Sequence, residues 1–400
     1  MNLNELRVKI DGIDEQLLKL FEERMGVVSD IAAHKKEAGI PVLDSGREEE
    51  KLNLISEKAN AETRSYARIL YSTLFNLSRK YQHTALRDGR SALQEYASAL
   101  CNDIRAAKLK YVDEDLPTVT MVACQGVEGS FAELAAERLF RQVPAIQYMK
   151  TYDSVFAAIE NGFCDYGVLP LENSTAGSVN KVYRVMGNHN FRIVRSIRLK
   201  IDHHLVAPKG VKLEDIREVV SHEQALAQCD GYLNKLSKRL SEKLGKPIEI
   251  IQTQYNNTAA AAEMVANSNR RDIAAICSRR CVEQYNLEYL DNDIQDNPNN
   301  FTRFICISRK LEIYDGANRT DMVLTLKNEQ GSLYKLLRRI DELKIDLGKL
   351  ESRPTDSDEE FMFYVTLKTA VNDDLFKLLD NLDQYCKNFE YLGSYNEVVH

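Results

Sequence analysis

Leu3, Leu6, Ile10, Ile13, Leu17 and Leu20 recur in alternating steps of three and four. That spacing draws one apolar seam along a helix. The pattern runs from Leu3 to about Lys36, and Gly39-Ile40-Pro41 stops it. A helix of roughly 34 residues is about 50 Å long, too long for its own small domain to cover, so a partner helix is implied. Further helices are expected over residues 45–59 and 63–84, which makes this segment all-α.

Residues 87–116 read as a partly helical connector, carried by Leu93, Tyr96, Ala97, Leu100 and Ile104 and closed by Asp113-Glu114-Asp115-Leu116-Pro117. From Thr118 the texture changes. Strand-like runs at 119–123, 166–169, 193–201, 248–253, 273–277 and 304–307 alternate with helical patterns such as 131–140 and 155–161. This order predicts a two-lobed α/β domain with a largely parallel sheet. After Arg309 the order is strand (322–326), helix (332–343), strand (347–352), strand (361–367), helix (373–386), strand (389–395). That is a ferredoxin-like βαββαβ unit of α+β class. The expected fold is therefore multidomain: an all-α domain over 1–86, a connector over 87–116, an α/β domain over 117–310 and the βαββαβ unit over 318–400.

At 400 residues the chain exceeds one ordinary core, and 44% hydrophobic with 28% charged residues suits a soluble globular protein. The net charge of −7, with no Lys/Arg-rich block, argues against nucleic acid as a partner. No run of 18 apolar residues appears, and the polar start Met1-Asn2-Leu3-Asn4 leads us to expect no signal peptide there. No membrane association and a cytoplasmic location are expected. Eight cysteines are scattered, and the close pair Cys277 and Cys281 has no second pair at zinc spacing. Reduced, mostly buried thiols are expected, with no metal.

In the helical segment, Arg24 and Lys35 stand 11 residues apart. At about 100° per residue they fall within about 20° on one helical face and roughly 16 Å apart along the axis, so two long side chains can converge on one small molecule. Ser78 and Gln82 share a face of the third helix, and Asp44, Arg47 and Glu48 stand at the start of the second. Solvated charges on a dimerisation helix would be the plainer reading. Downstream, Asn300-Phe301-Thr302-Arg303-Phe304 places a hydroxyl beside a guanidinium. Gly126-Val127-Glu128-Gly129-Ser130-Phe131, Leu169-Pro170-Leu171-Glu172-Asn173-Ser174-Thr175-Ala176-Gly177, Ser221-His222-Glu223-Gln224-Ala225-Leu226 and Asn257-Thr258-Ala259-Ala260 each open a helix with polar groups. Helix-start amides can hold a carboxylate, although Ser130 and Thr258 also fit as simple N-caps.

The Asn300–Phe304 run resembles the Asn-x-Thr-Arg-Phe signature of prephenate dehydratases. Glu351-Ser352-Arg353-Pro354 resembles the Glu-Ser-Arg-Pro signature of phenylalanine-sensing ACT domains, as Gly331-Ser332-Leu333 resembles their other effector motif. The first ninety residues resemble the all-helical chorismate mutases. Together, and in this order along nearly the whole chain, they resemble the bifunctional chorismate mutase–prephenate dehydratases. Val127 and Glu223 stand where that family often has Pro.

The resemblance implies substrates, an effector and roles. Chorismate rearranges to prephenate pericyclically, so the site needs cations that clamp two carboxylates and a donor near the breaking ether oxygen. Arg7, Arg24, Lys35, Asp44, Arg47, Glu48, Ser78 and Gln82 match those positions, with Glu48 near the ether oxygen. Arg7 lies about 25 Å along the same straight helix from Arg24, so it is expected to serve a partner subunit's site. Prephenate then loses CO2 and water to give phenylpyruvate, which calls for a donor at the leaving hydroxyl. Thr302 is the implied donor, assisted by Asn173 and Gln224. Ser130, Glu172, Ser174, Thr175, Gly177, Ser221, His222, Thr258, Arg303 and Phe304 are the implied substrate contacts, Arg303 holding either a carboxylate or its loop. Phenylalanine is the implied effector, bound by Gly331, Ser332, Leu333, Glu351, Ser352, Arg353 and Pro354 between paired ACT units. No cofactor is required. A homodimer through the N-terminal helices and ACT pairing, or a tetramer, is expected. Two other classes compete with this reading. A mutase fused to prephenate dehydrogenase needs Gly-x-Gly-x-x-Gly, and no Gly-x-Gly occurs. A two-lobed amino-acid sensor would not need Thr302 or the Arg/Lys set.

Overall fold

The structure is a computed structural model that describes residues 2–38, 45–85, 91–186, 189–354 and 361–399. The chain divides into two compact units, Met1–Ser91 and Ala92–His400.

The first unit holds α1 (Leu3–Ala38), α2 (Ser45–Lys58) and α3 (Arg64–Ala85). A reciprocal cap starts α1: Asn2 Oδ1 accepts from Glu5 N at 2.9 Å, and the Glu5 carboxylate accepts from Asn2 N at 3.0 Å. Helix α3 packs on both α1 and α2. The cover is partial. Val28 and Ala32 are buried, whereas the seam residues Leu3, Leu6, Ile10, Ile13, Leu17 and Leu20 are 43–63% exposed.

The second unit starts with α4 (Ala92–Lys110). A first lobe follows: β1 (Met121–Gln125), α5 (Phe131–Leu139), β2 (Ala145–Met149), α6 (Tyr152–Glu160), β3 (Tyr166–Asn173), the short β4 (Gly177–Ser178), α7 (Asn180–Met186) and β5 (Arg192–Lys200). A second lobe runs through β6 (His204–Pro208), β7 (Glu218–Ser221), α8 (Glu223–Gln228), α9 (Asp230–Leu244), β8 (Ile251–Gln254), α10 (Thr258–Ala266), β9 (Ile273–Cys277), α11 (Arg279–Gln284) and β10 (Leu287–Asp291). The chain then returns to the first lobe as β11 (Phe301–Ser308). The two crossing segments are tied together: Ile201 N donates to Asn300 O at 2.8 Å, and Ile294 N donates to His203 O at 2.9 Å.

The last segment is β12 (Arg319–Leu326), α12 (Ser332–Glu342), β13 (Asp346–Pro354), β14 (Phe361–Lys368), α13 (Asp373–Leu379) and β15 (Cys386–Val399), the expected βαββαβ order. Its strands lie in the order β13-β14-β12-β15, all antiparallel.

Four features differ from expectation. The lobe sheets are mixed rather than largely parallel. β1 pairs parallel with β2 and β3, but β11 runs antiparallel between β3 and β5 because it returns from the second lobe. In the second lobe β6 is antiparallel to β9 and β10. Helix α13 stops at Leu379, and a 3₁₀ turn over Leu382–Gln384 replaces its expected last turns. Strand β15 has 14 residues because two sheets share it: residues 386–395 pair with β12, and 396–399 pair parallel with β5. One ten-stranded sheet therefore runs through the first lobe and the C-terminal module. The connector is structural too. Ala97, Leu100, Cys101, Ile104 and Ala107 of α4 are buried in one core with Leu336, Ile340, Leu375 and Leu379. All eight cysteines are buried and free. Among the described residues, no helix is long and apolar enough to cross a membrane.

Candidate active sites

The paired strands β3 and β11 place Asn173 opposite Thr302. Both are buried, at 6% and 8% exposure. Asn173 Oδ1 accepts two backbone N–H groups, from Thr175 and Ala176, each at 2.9 Å. Backbone donors cannot reverse, so the other end of this amide must donate. Asn173 Nδ2 does so to Thr302 Oγ1 and to Asn300 Oδ1, both at 2.9 Å. Thr302 Oγ1 is therefore an acceptor toward Asn173, and its own proton is free for another partner. Ser174 closes the neighbouring turn: its Oγ donates to Asn299 O at 3.0 Å and accepts from Phe301 N at 2.9 Å.

The second lobe reaches this pair through α8. Asn300 Nδ2 donates to Gln228 Oε1 at 2.8 Å, and Gln228 Nε2 lies 3.4 Å from Asn173 Oδ1. His203, at the first crossing, brings Nε2 to 2.9 Å from Gln228 Oε1. The loop after β1 also touches the second lobe, with Ser278 Oγ donating to Gly129 O at 2.9 Å. Carboxyl ends of strands from both lobes thus meet at one junction, the usual place for a ligand in such sheets.

The expected contacts divide. Asn173, Ser174, Thr175 and Thr302 come together, and Gly177 pairs with Asn173 across β3 and β4 with φ +76°. Ser130 and His222 are N-caps: Ser130 Oγ accepts from Glu133 N at 3.4 Å, and His222 Nδ1 accepts from Gln224 N at 3.2 Å. Burial pushes the His222 pKa below its ordinary value. Thr258 is the first residue of α10, and Asn257 does the capping at 2.7 Å. Five expectations need correction. Gln224 is exposed on the first turn of α8, and Gln228, one turn on, is the glutamine that bonds Asn173 and Asn300. Ser221 is fully buried, its Oγ donating to Ile276 O at 2.6 Å. Phe304 lies in the first-lobe core. Arg303 and Glu172 face each other in register on the opposite side of the sheet from Thr302. There Glu172 pairs with Lys349 at 2.8 Å, and Arg303 pairs with Glu397 at 2.9 Å.

Of the residues missed, Asn300 stood inside the Thr302 motif. Gln228 shares its helical face with Gln224, so periodicity could not choose between them. Nothing local marked His203 as different from His204.

In the first unit, Arg24 Nη1 donates to Ser78 Oγ, whose proton goes to Leu74 O at 2.7 Å. The Arg24 guanidinium stands 5.8 Å from the Phe75 ring centroid. Arg24 and Lys35 are half-buried on the α1 stripe that also holds buried Val28 and Ala32. Arg47 is exposed on α2. Arg7 is exposed on the same continuous helix as Arg24 and does not join the Arg24–Ser78 group. Asp44 lies outside the described residues, as do the side chains of Glu48 and Gln82.

In the C-terminal module Gly331 takes φ +79° before α12, a conformation that suits glycine. With Ser332 and Leu333 it lines a cavity of about 250 Å³ that also holds Phe361 and Phe363. Glu351 and Arg353 point elsewhere: Glu351 accepts from Ser178 Oγ at 2.5 Å, and Arg353 donates to Asn180 Oδ1 at 2.9 Å. Burial would raise the Glu351 pKa, but Ser178 and the Lys349 ammonium outweigh it and hold the carboxyl below its ordinary value. Ser352 and Pro354 are exposed on β13. Within one chain the two effector motifs do not form one site.

Comparison with known proteins agrees with this organisation. The "Prephenate dehydratase" family model matches residues 122–312, and the "Chorismate mutase type II" model matches residues 6–83. Arogenate dehydratase/prephenate dehydratase 2, chloroplastic, of Arabidopsis thaliana is 32% identical over 326 residues, covering 74% of this chain and 82% of the relative. Among solved structures, a prephenate dehydratase in complex with L-Phe from Arthrobacter aurescens matches with TM-score 0.62 and 26% identity, over 69% of this chain and 89% of that one. GqqA, described as a novel type of quorum quenching acylase, matches with TM-score 0.60 and 27% identity, over 69% and 97% respectively. The chain belongs to the prephenate dehydratase family and carries a type II chorismate mutase domain ahead of the dehydratase, the pairing of a bifunctional enzyme of phenylalanine biosynthesis.

Proposed function

We propose that the helical domain, residues 1–86, converts chorismate to prephenate, and that the 117–310 domain converts prephenate to phenylpyruvate. Residues 318–400 are proposed as an ACT module through which phenylalanine inhibits the dehydratase. The observation that carries the dehydratase reading is the direction of the Asn173–Thr302 bond. Because Thr302 Oγ1 accepts from Asn173 Nδ2, the hydroxyl proton can be offered to the ring hydroxyl of prephenate. As the carboxylate leaves as CO2, its electron pair moves into the ring and the ring hydroxyl departs as water, so the donor stabilises charge where it develops. Asn173 holds Thr302, and Gln228 adds an N–H at the same junction.

For the mutase, Arg24 is the half-buried cation held against Ser78, placed to clamp a carboxylate. Lys35 lies on the same helical stripe. The exposed seam of α1 supports a homodimer, each large apolar side chain contributing on the order of 1.5–3 kcal/mol if fully covered. Arg7 would then reach the partner's site. The cavity at Gly331, Ser332 and Leu333 supports the effector reading, and the L-Phe complex of the Arthrobacter aurescens relative agrees with it.

Two other readings have a specific motive. Relatives named as arogenate dehydratases raise arogenate as a substrate of the same junction. A mutase in the same chain, whose product is prephenate, favours prephenate. The GqqA likeness raises an acylase. Acyl transfer needs a base that takes the nucleophile's proton, and the bond Thr302 makes with Asn173 is one it accepts.

The test is to incubate the purified protein with chorismate, prephenate and arogenate separately. Turnover of the first two is expected. Consumption of arogenate alone would overturn the substrate assignment, and no turnover by a folded protein would return the chain to the sensor class.

A further inference from the structure

The hydrogen-bond direction set at Asn173 extends further than the Thr302 hydroxyl. Thr175 N and Ala176 N fix Asn173 Oδ1 as the acceptor. Asn173 Nδ2 then fixes Asn300 Oδ1 as an acceptor, so Asn300 Nδ2 is the donor to Gln228 Oε1. An oxygen already in that role can only accept again. The ring nitrogen 2.9 Å away, His203 Nε2, must therefore carry a proton. Four side chains on four segments of the two lobes and their crossings thus read out the orientation of two backbone amides.

His203 is suited to hold that end. It is 2% exposed, with Phe131 edge-on at 5.9 Å between ring centroids. Its backbone is fixed as well, His203 N donating to Gln295 Oε1 at 2.9 Å. Its Nδ1 is buried and finds no hydrogen-bond partner among the described residues. Protonating that atom would bury an unsatisfied donor and a charge together. Burial accordingly lowers the ring's pKa, outweighing the opposing bond to Gln228.

We infer that His203 is a positioning residue of the dehydratase, held as the neutral Nε2–H tautomer, which together with Asn300 holds the Gln228 carboxamide so that its Nε2–H group faces Asn173 and the bound substrate. Were the amide reversed, Gln228 would present an oxygen to the Asn173 oxygen and to a departing hydroxyl. The first contact would be repulsive, and the second would leave the departing oxygen without that donor. A ring outside the Asn173–Thr302 pair thus reinforces, together with Asn300, the amide polarity presented to that pair. This inference rests on the dehydratase reading for its functional half and on the hydrogen-bond geometry alone for its tautomer half.

The experiment has two arms on the full-length protein. In the first, ¹⁵N-histidine labelling and NMR of the resting protein read each ring's protonation, and His203→Gln assigns the His203 signals by their loss. A pyrrole-like Nε2 and a pyridine-like Nδ1 are expected. An Nδ1–H tautomer or a charged ring would overturn the inference. In the second, His203→Leu removes the donor while His203→Gln keeps an N–H. The Leu variant should lose about tenfold or more in dehydratase kcat, the scale of one lost hydrogen bond, with KM little changed. The Gln variant should recover most of it. Equal loss in both variants, each shown folded by its circular dichroism and unchanged mutase activity, would overturn the positioning role. A wild-type protein with the Nε2–H tautomer but no dehydratase turnover would instead overturn the functional reading of the junction and leave the tautomer standing.

Discussion

Thr302 and Arg303 are consecutive on β11, and their side chains leave the sheet on opposite faces. Thr302 meets Asn173 at the lobe junction. Arg303 turns toward β15, pairing with Glu397 and donating to the Tyr395 hydroxyl. Tyr395 in turn donates to Asp321 on β12 at 2.8 Å. Strand β15 is shared with the C-terminal module. The C-terminal module is therefore tied by side-chain contacts to the residue next to the proposed donor.

Arg303→Met should lower stability by about 3–5 kcal/mol, the range for breaking a buried ion pair from one side. Arg303 and Glu397 are 6% and 9% exposed, and Glu397 would keep Arg319 at 2.6 Å as its cation, with the Ser196 hydroxyl at 3.5 Å. The KM for prephenate should change little, because the guanidinium is on the far face. Urea denaturation alongside steady-state kinetics checks this. A large rise in KM at unchanged stability would place Arg303 in the substrate site after all.

Phenylalanine control should run through the contact between β13 and the first lobe. Glu351 accepts a hydrogen bond from the Ser178 hydroxyl, and Lys349 reaches Glu172, Ser178 and Tyr183. Glu351→Gln and Ser178→Ala should each shift the inhibitory phenylalanine concentration, and the double variant should shift it no further than the larger single change. Additive shifts in the dose–response curves would mean that the two residues act independently. Truncation after Lys310 is a less selective test, since it strips β15 from β5 and removes Tyr364, Leu392 and Tyr395 from the core they share with Leu171, Tyr183 and Ile193.

His189 should make stability depend on pH near neutrality. Its ring lies 2.8 Å from Glu160 and 3.2 Å from Asp153. Burial alone would lower its pKa, but the bonds to these two carboxylates outweigh it and raise the value above 6.5. A raised folded pKa contributes stability below the unfolded value and loses it as pH rises through the folded one. The Tm difference between wild type and His189→Gln should therefore be largest below about pH 6 and shrink toward pH 8, near the ordinary histidine range. A difference that grows with pH contradicts the assignment.

Arg7 offers a test of subunit sharing. Chains carrying Arg7→Ala and chains carrying Arg24→Ala should each lose mutase activity alone. Mixed dimers should regain part of it, because one of their two sites would hold both arginines. Mass spectrometry confirms that mixed dimers form. Their presence without recovered activity would remove Arg7 from the partner's site.

Much of this was legible because periodicity reports one helix or strand at a time. The α1 seam, the β9 run and the βαββαβ order follow from local patterns of apolar residues. What was not legible depends on contacts distant in sequence. Strand direction at β11 is set by the return from the second lobe, and the length of β15 by a second sheet that accepts it. Within the site, Thr302 and Asn173 stood in recognisable motifs. Gln228 and Gln224 share a helical face, and only the tertiary contact with Asn300 separates them. Arg303 illustrates the same limit. Adjacent strand residues point to opposite faces, so a motif can hold a donor and a structural tie side by side.

The most direct measurement is the fate of chorismate added to the Thr302→Ala protein. Wild type should carry it through prephenate to phenylpyruvate. The variant should still consume chorismate at close to the wild-type rate, since Arg24 and Ser78 lie in the other unit. It should accumulate prephenate, with dehydratase kcat reduced by about 10²–10⁴, the range for a lost acid or donor. Prephenate that does not accumulate, or a parallel loss of both activities in the folded variant, would contradict the assignment of Thr302 and the separation of the two sites.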